Sequence, residues 1–469
     1  TITQGSGTDL RSLAYTYGAD GFVSRITDAQ NRETLYQRDL AGRITQATLP
    51  GTRVIGTGYD ANGNVAGVTP PNKPTHTFGY TAVDLAEQYT PPTLAGLPTP
   101  QTQYAWNRDK NLTQLTRPDG VTLAYGYDAG GRLGTITPSG NGDVITYGYH
   151  ATTGQLISLQ NLPSPLAGEG PGVPQTLTYT WDGFLPTSET FGGQISGTLS
   201  RTYDNNFRTT QLGVNGDAIA LGYDNDDLLT SSGAITFTRN AQNGLLTGTT
   251  LGSTTTTHTY NAFGELATFT ANHGTDTLLA DSYTYDTLGR ITTKTATLAG
   301  VTDIFAYSYD LAGRLESVTK NGVTVENYGY DANGNRLSSN GIAGTYDDQD
   351  RLLTYNGNTY TYTANGEWQT KTNAAGVTNY TYDVYGNLKT AHICPESPLS
   401  PCERGAGGEG ATTRIDYLTD ARNRRIGKQV NGVLVQGFLY QDQLRIAAEL
   451  DAANTVVSRF VYGTRINVP

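Results

Sequence analysis

A short motif recurs along almost the whole chain of 469 residues. Tyr-Asp is followed by two variable residues, then Gly, then Arg or Asn, and then a hydrophobic residue. With degenerate copies, about twenty units at a spacing of roughly 20–25 residues run from Tyr17 to Tyr440. Repeats of this length bury their faces by stacking on their neighbours. We therefore predict one repeat array over residues 1–469 rather than several separate domains.

The motif residues of the clearest copies are the candidate site residues, and the role predicted for them is structural. They are Tyr59, Asp60, Gly63, Tyr127, Asp128, Gly131, Arg132, Tyr285, Asp286, Gly289, Arg290, Tyr309, Asp310, Gly313, Arg314, Tyr330, Asp331, Gly334, Tyr382, Asp383 and Gly386.

Each unit is predicted to be an antiparallel β-hairpin. Residues 122–127 and 304–309 alternate with a period of two, which is typical of half-buried strands. The Asp can accept backbone N–H bonds at a turn, and the Gly adopts positive φ without steric cost. Asn321-Gly322 and Asn431-Gly432 are strong signals for the turns between units. We therefore predict an all-β fold of tandem hairpins, with Tyr rings stacked along the ladder and their hydroxyl groups in solvent.

The composition excludes several classes of protein. Hydrophobic residues make up 36% of the chain, and no apolar run approaches the roughly 20 residues of a membrane-spanning helix. The formal net charge is -11 and the cations are scattered, which argues against a nucleic-acid surface. Two cysteines in a chain of this length do not make a disulfide scaffold. Because the sequence has no Met and starts at Thr1, we interpret it as an interior piece of a longer protein.

The number of predicted strands limits the architecture. About forty strands at about 4.8 Å each make a ribbon roughly 190 Å wide. Wound once, such a ribbon has a radius of roughly 30 Å, which side chains cannot fill. The sheet is therefore expected to coil as an open spiral, to enclose a hollow, or to divide into blades.

The recurring Tyr-Asp-x-x-Gly-Arg and Tyr-Asp-x-Asn-Gly-Asn signature resembles the RHS-repeat, or YD-repeat, family. This family includes bacterial polymorphic toxins, the cocoon subunits of ABC-type toxin complexes, wall-associated surface proteins and the teneurin shell of animals. The resemblance implies a long β-sheet that spirals into a hollow shell or an open part of one. In the toxin members the shell encloses a C-terminal toxic domain. Residues 438–451 and 456–463 resemble the last repeats before the family's conserved core.

One feature of the toxin members is absent from this sequence. Their downstream aspartyl self-cleavage site carries an Asp-Pro-x-Gly type motif, and this chain contains no Asp-Pro dipeptide. We therefore predict no catalytic residue, no cofactor and no toxin or protease domain within these residues. The resemblance alone implies a secreted or cell-surface location in bacteria.

Two Pro- and Gly-rich inserts, at residues 161–174 and 394–411, interrupt the repeats. Both contain Ser-Pro-Leu and Gly-Glu-Gly, and both are predicted to be loops without strands. We hypothesise that they are copies of a short mobile repeat in the gene. Cys394 and Cys402 lie in the second insert, near His392. Their spacing is compatible with a loop disulfide or with two free thiols, whereas a metal site would require further ligands that do not follow.

Aromatic and acidic residues have both a functional and a structural interpretation. The pairs Asp226-Asp227 and Asp347-Asp348 have the residue types of a glycosidase pair, but they fall at the turn position of the repeat, which favours solvated turns. The tryptophans occupy hydrophobic positions of the repeat, where core packing is favoured over a sugar-stacking platform. They are Trp106, Trp181 and Trp368.

The densest basic cluster contains Arg422, Arg424 and Arg425. These residues would line the shell, pair with Asp416 and Asp420, or form a solvated face. The solvated face is the structural interpretation that requires nothing further of the fold.

Three functions are compared on this basis. The favoured one is a non-catalytic wall that encloses or presents a partner polypeptide, such as a C-terminal toxin, in the same or a partner chain. The alternative is a cell-surface adhesion or carbohydrate-binding module, whose partner would be a glycan. An enzyme on a β-propeller would require a period of roughly 40–45 residues, about twice the observed one.

Overall fold

The computed structural model describes residues 1–5, 10–94, 96, 100–140, 142–162, 173–395 and 412–462. Within these ranges the chain forms 42 strands and no helix, so none of the described residues belongs to a helix that could cross a membrane. The chain divides into two units, each built from two separate stretches. Unit 1 contains residues 1–99 and 234–356, and unit 2 contains residues 100–233 and 357–469. We call the earlier stretch of a unit its first section and the later stretch its second section.

The first section of unit 1 contains β1 Ile2–Gln4, β2 Arg11–Tyr17, β3 Val23–Thr27, β4 Glu33–Arg38, β5 Ile44–Leu49, β6 Arg53–Tyr59, β7 Val65–Thr69, β8 His76–Tyr80 and β9 Ala86–Thr90. The first section of unit 2 contains β10 Thr102–Trp106, β11 Leu112–Thr116, β12 Thr122–Tyr127, β13 Leu133–Pro138, β14 Val144–Tyr149, β15 Leu156–Leu162, β16 Gln175–Asp182, β17 Leu185–Gly192, β18 Gly197–Tyr203, β19 Thr209–Val214, β20 Asp217–Tyr223 and β21 Leu229–Ser232.

The second section of unit 1 contains β22 Ile235–Arg239, β23 Leu246–Leu251, β24 Thr254–Tyr260, β25 Leu266–His273, β26 Asp276–Tyr285, β27 Ile291–Leu298, β28 Val301–Tyr309, β29 Leu315–Lys320, β30 Val323–Tyr330, β31 Arg336–Ser339, β32 Ile342–Tyr346 and β33 Leu352–Tyr355. The second section of unit 2 contains β34 Asn358–Tyr362, β35 Trp368–Asn373, β36 Gly376–Tyr382, β37 Leu388–Pro395, β38 Thr413–Thr419, β39 Arg425–Val430, β40 Val433–Tyr440, β41 Ile446–Leu450 and β42 Val456–Arg459.

Within each section every strand pairs antiparallel with the next one in sequence, as in β26–β27, β27–β28 and β28–β29. The Asn321-Gly322 turn joins β29 to β30, with φ of 51° and 81° at its two residues. Two residues at positive φ match the twist of the flanking strands. The prediction of an all-β fold of tandem antiparallel hairpins is therefore confirmed. That residues 1–469 form a single repeat array, interrupted by the two inserts, stays a prediction.

The strands extend further than the predicted inserts allow. Asn161 pairs with Gln175 between β15 and β16, and Cys394 pairs with Val377 between β37 and β36. The first residues of both inserts are therefore strand rather than loop, because a neighbouring strand supplies their backbone partners. Residues 163–172 and 396–411 lie outside the described residues, so the loop prediction is untested there.

The two faces of the sheet differ in chemistry. The residue before the motif Tyr and its cross-strand partner are both Thr or Ser in several hairpins, and their hydroxyl groups bond to each other. We call the face that carries these pairs the threonine face. The pairs are Thr259–Thr268, Thr284–Thr293, Ser308–Ser317, Thr345–Thr354, Thr361–Thr370 and Thr381–Thr390.

Unit 2 contains an apolar core, which forms where strands of its second section pack on strands of its first. The first section contributes Ile145, Leu159, Leu177, Tyr179, Phe191, Ile195, Leu199 and Val214, and the second contributes Ala421, Ile426, Leu439, Ala447, Ala448 and Leu450. In the second section, Leu418–Gly427 and Leu439–Ala448 replace the Thr pairs of the threonine face. A Cβ at Gly437 would lie 2.9 Å from Cδ1 of Ile195, so the absence of a side chain there lets the two layers meet.

The described residues of unit 1 form no such core. Among its described residues, Val318 is the one Val, Leu, Ile, Phe, Tyr or Trp side chain that is buried. Its sheet is therefore one layer thick and is held together by backbone pairing and by its turns.

Candidate functional site

The turn that follows each motif Tyr is built around the Asp side chain, and we call it the Tyr-Asp turn. Asp128 Oδ1 accepts the backbone N–H groups of Gly130 and Arg132, both at 2.9 Å, and Oδ2 accepts Nε–H of Arg132 at 2.8 Å. Gly131 lies between them at φ 75°, where a Cβ would be strained. The hydrogen bond from the Arg132 guanidinium holds the pKa of the Asp128 carboxyl below its ordinary value.

The same turn recurs through both units. Arg pairs with the Asp at Asp39–Arg43, Asp204–Arg208, Asp286–Arg290, Asp310–Arg314, Asp347–Arg351, Asp420–Arg424 and Asp442–Arg445. Where Asn replaces Arg, its amide donates to the Asp instead, at Asp60–Asn64, Asp331–Asn335 and Asp383–Asn387. Arg and Asn therefore serve the same purpose at this position, because each bridges the two ends of the turn.

The motif Tyr connects each hairpin to the preceding one. Tyr309 Oη donates to the carbonyl of Ile291 at 2.7 Å, and Tyr330 Oη donates to the carbonyl of Leu315 at 2.8 Å. Each acceptor is the first residue of the return strand in the preceding hairpin. Further examples are Tyr59 to Ile44, Tyr127 to Leu112 and Tyr285 to Leu266. The expectation of solvated hydroxyl groups was therefore wrong, because the backbone carbonyl that ends the previous turn needs a donor.

The motif Arg connects each hairpin to the following one. The guanidinium of Arg290 lies over the ring of Tyr309, with Cζ 4.4 Å from the ring centroid, and that of Arg314 lies over Tyr330 at 4.6 Å. Arg314 also donates to the backbone carbonyl of Asp331 at 2.7 Å. A cation over an aromatic face is stabilised by the ring quadrupole. The Tyr of a motif thus contacts the preceding hairpin and the Arg contacts the following one, so each hairpin is held on both sides.

The Tyr-Asp turns lie on one rim of the sheet. The turns that join one hairpin to the next lie on the other rim, and we call them opposite turns. In unit 1, Tyr-Asp turns of the second section contact opposite turns of the first. Arg11 donates two hydrogen bonds to Glu265, at 2.7 and 2.8 Å, and Lys73 donates to the carbonyl of Asp347 at 2.7 Å. These partners are 254 and 274 residues apart. The two sections of unit 1 are therefore joined by charge-assisted contacts between their rims.

Unit 2 repeats this arrangement and then departs from it. Arg117, in an opposite turn, donates to Glu367 at 2.8 Å, and Tyr385 Oη donates to the carbonyl of Asp143 at 2.5 Å. Further along, β38–β42 also pack on the face of the first section, while Asn454, in the turn after β41, keeps the rim contact and accepts the backbone N–H of Ser196 at 3.1 Å. This change of packing buries the core described above.

A buried ionic cluster joins the two layers of unit 2. Arg424 Nη2 donates to Glu189 at 2.8 Å and its Nε donates to Asp420 at 2.7 Å. The side chains of Arg424 and Asp420 are each 1% exposed. This finding contradicts the solvated-face interpretation for Arg424. Asp416 pairs instead with Arg414, at 2.9 Å.

The other two arginines of the basic cluster in the sequence, Arg422 and Arg425, contact aromatic rings. Arg422 lies over Tyr179, with Cζ 5.2 Å from the ring centroid, and Arg425 lies over Tyr417 at 4.1 Å. Burial raises the pKa of the Tyr179 hydroxyl, which keeps it neutral. The cluster is thus divided between the layer interface and the open face of the sheet.

The remaining sequence candidates take structural positions. Asp226-Asp227 and Asp347-Asp348 lie in Tyr-Asp turns, where Asp227 pairs with Arg208 and Asp347 with Arg351. Among the described residues, no group of three or more His, Cys, Asp or Glu is arranged to hold a metal ion.

The tryptophans and the cysteines differ in how far the structure describes them. Trp181 packs against the core of unit 2 and donates to the Leu156 carbonyl at 2.8 Å, whereas Trp368 is 40% exposed. Cys394 is buried at the end of β37, and Cys402 lies outside the described residues. The Cys394–Cys402 pairing therefore stays a prediction.

Sequence reasoning missed the contacts between sections, including Glu189 and Arg11. One signal for the layered core was present in the sequence. Leu418 and Leu439 stand where other repeats have Thr, and Gly427 and Ala448 stand opposite them. Large apolar residues facing Gly and Ala are typical of a surface that receives a second layer.

Comparisons with known proteins agree with this geometry. The sequence model of the family described as Teneurin YD-shell matches residues 3–469. Among solved structures, TcdB2-TccC3 is similar with a TM-score of 0.52 and 14% identity, over 94% of this chain and 27% of that chain. The Tc holotoxin pore of Photorhabdus luminescens is similar with a TM-score of 0.51 and 13% identity, over 96% of this chain and 30% of that chain. At these identities the likeness shows the fold.

The chain spans about 30% of the length of these solved chains. No curated protein matches the sequence.

Proposed function

The chain belongs to the Teneurin YD-shell family, and from that premise we propose that it forms a non-catalytic wall of a shell that encloses or presents a partner polypeptide. The observation that carries the proposal is the use of the motif residues. Asp, Gly, Arg and Tyr of the repeat are committed to the turn and to the neighbouring hairpins, as Asp310, Arg314 and Tyr330 illustrate. A repeat whose polar groups serve its own sheet is suited to enclosure rather than to chemistry.

The thickness of unit 1 supports the same function. A globular protein buries both layers of its core, but the described part of unit 1 buries almost no apolar side chain. Such a sheet separates two spaces and offers each of them a different face. By analogy with the toxin members of the family, the partner is a polypeptide held on one side of the wall, and the wall acts outside the cell that makes it.

Protection of an attached peptide tests enclosure. A disordered Gly/Ser peptide with one site for a sequence-specific protease is attached after Pro469 in one version and before Thr1 in the other. We expect cleavage of the C-terminal peptide to be slower by at least about tenfold, since a protease reaches an enclosed site only when the wall opens. Equal cleavage rates in the two versions would contradict the proposal.

Small-angle scattering supplies the control for folding and shape. A compact domain of this length has a radius of gyration of about 23 Å. We expect a larger value together with the scattering minimum of a hollow particle. A value near that of the compact domain would contradict the shell even if the peptide were protected.

A second candidate function, carbohydrate binding at a cell surface, is favoured by one observation. Trp368 is 40% exposed, and its ring centroid lies 4.9 Å from that of Tyr360 and 6.2 Å from that of Tyr380. A partly exposed indole flanked by two tyrosines is a surface on which a sugar ring can stack. A glycan array tests this function, with a Trp368→Ala variant as control. A blank array, or binding that survives the substitution, would count against it.

A further inference from the structure

One Tyr-Asp turn in unit 2 carries an unfavourable residue at its most constrained position. In the turn after β18, Phe207 occupies the place that Gly131 and Gly313 hold in their turns. Its φ is 64°, and it is the one aromatic residue at positive φ among the described residues. Positive φ brings the Cβ of a bulky residue close to the backbone and disfavours the folded turn. The strain calls for a compensating role of the Phe207 side chain.

Burial within the chain does not provide this compensation. The Phe207 side chain is 59% exposed, and its main aromatic neighbour, Phe184 in the adjacent Tyr-Asp turn, is 68% exposed. Their ring centroids are 5.2 Å apart and the rings are tilted by 58°. The two rings therefore form an aromatic pair that projects from the rim into solvent.

Elsewhere in the chain, aromatic residues of Tyr-Asp turns serve as contact points for opposite turns. Phe263 lies under the guanidinium of Arg11, with Cζ 3.8 Å from the ring centroid. Tyr385 donates to the carbonyl of Asp143. In both cases the aromatic residue belongs to a second section, and the opposite turn comes from the first section of the same unit. Phe184 and Phe207 belong to a first section, and among the described residues of unit 2 no opposite turn makes such a contact with its Tyr-Asp rim.

The surroundings of the pair are acidic. The three turns at residues 181–185, 204–208 and 224–228 contain five aspartates and one arginine. That arginine, Arg208, is already bonded to Asp204 and Asp227. A cation that approaches this rim is therefore attracted by the carboxylates and by the faces of the two rings.

We propose that Phe184 and Phe207 are the centre of a docking surface for a partner polypeptide that presents an arginine on an exposed turn. The partner contact reproduces the one that Arg11 makes with Phe263 inside unit 1. A second copy of this chain fits less well, because arginines of its described opposite turns, such as Arg11, Arg32 and Arg117, already pair with Glu265, Asp28 and Glu367. The surface lies on the rim, and its function does not depend on a guest being enclosed by the wall.

The test uses a fluorescein-labelled peptide that copies residues 10–14, the segment that carries Arg11. Fluorescence anisotropy is measured with the wild-type chain and with a Phe207→Gly variant. We expect the variant to bind at least about tenfold more weakly, as is usual for a central aromatic contact, and to have a higher Tm because glycine relieves the strained φ. A peptide with Arg11→Leu should lose binding to the wild type, and high salt should weaken the binding of the original peptide.

A control variant is Leu40→Gly, which removes a still more exposed apolar side chain from another Tyr-Asp turn and should leave binding unchanged. Equal peptide binding by the wild type and a more stable Phe207→Gly variant would overturn the proposal. Sedimentation of the wild type as a dimer and of Phe207→Gly as a monomer would also overturn it, because the occupant would then be a second copy.

Discussion

Units 1 and 2 are built from the same hairpin motif but are stabilised differently. In unit 1 the second section meets the first through turn contacts such as Arg11–Glu265. In unit 2 the later strands cover the first section and bury Leu439 and Ile195 between the layers. The motif therefore suffices to build the sheet, whereas the core requires a change at the positions of the threonine face. Because Trp106, Trp181 and Trp368 all lie in unit 2, tryptophan fluorescence follows that unit while circular dichroism follows both.

The largest expected effect is the loss of the motif arginine in the buried setting. Arg424→Leu leaves Asp420 and Glu189 as buried charges without their cation and should lower the free energy of unfolding of unit 2 by about 3–5 kcal/mol. The matched change Arg314→Leu affects a half-exposed pair of the same motif and should cost about 1 kcal/mol. Urea denaturation measures both, by fluorescence for the first and circular dichroism for the second. Equal losses would mean that burial does not distinguish the two units.

The second prediction reverses the change that created the core. Leu439→Thr restores the usual repeat residue at a fully buried position and should cost about 2–4 kcal/mol, because it removes apolar contacts and buries a hydroxyl group. Thr381→Leu makes the reverse change at the equivalent position of an exposed hairpin and should alter stability by less than about 0.5 kcal/mol. The fluorescence midpoint in urea measures both variants. A similar shift for the two would show that the layer contact contributes little.

Acid should separate the two units. Hydrogen bonds from Arg43 and Asn64 lower the folded-state pKa of Asp39 and Asp60 in unit 1, and one from Arg132 does the same for Asp128 in unit 2, which also has an apolar core that does not titrate. A lowered pKa contributes stability that is present above the unfolded value of about 3.9 and is lost as the pH falls through the folded value. We therefore expect the circular dichroism of the sheet to decline below about pH 4 before the fluorescence of unit 2 changes. Coincident transitions would contradict this order.

The smallest expected effect concerns the tyrosine hydroxyl groups, and here the units should agree. Tyr309→Phe in unit 1 and Tyr440→Phe in unit 2 each remove one hydrogen bond to a backbone carbonyl, of Ile291 and Arg425 respectively. Each change should cost about 1 kcal/mol in urea denaturation. A much larger loss for Tyr440→Phe would mean that the motif itself acts differently beside the core.

The hairpins could be predicted from the sequence because their signals are local. Asn431-Gly432 specifies a two-residue turn, and Val430 and Val433 pair across it as expected. The Asp and Gly of the motif likewise act within five residues of each other. The acceptor of the Tyr hydroxyl was not predicted, since alternation indicates a face of the sheet and not a partner on the next strand.

The contacts between sections could not be predicted in the same way. Arg11 and Glu265 are 254 residues apart, and nothing in either segment identifies the other. Their meeting depends on the summed twist of all the strands between them, which no single repeat encodes. The Leu418–Gly427 pair is a signal for a second layer that sequence reasoning missed, and it does not specify which strands the layer covers.

The rim partners are far apart in the sequence, and this separation limits how such a chain can gain or lose repeats. Loss or duplication of one hairpin leaves the local contacts intact, because Tyr and Arg find equivalent groups on the new neighbours. It also displaces each rim partner by one turn, so that Arg11 would face the turn of Asp286 or of Asn240 instead of Glu265. Gene rearrangements that add or remove a single repeat should therefore break the rim contacts between the sections. Rearrangements that keep the number of hairpins between Arg11 and Glu265 should preserve these contacts.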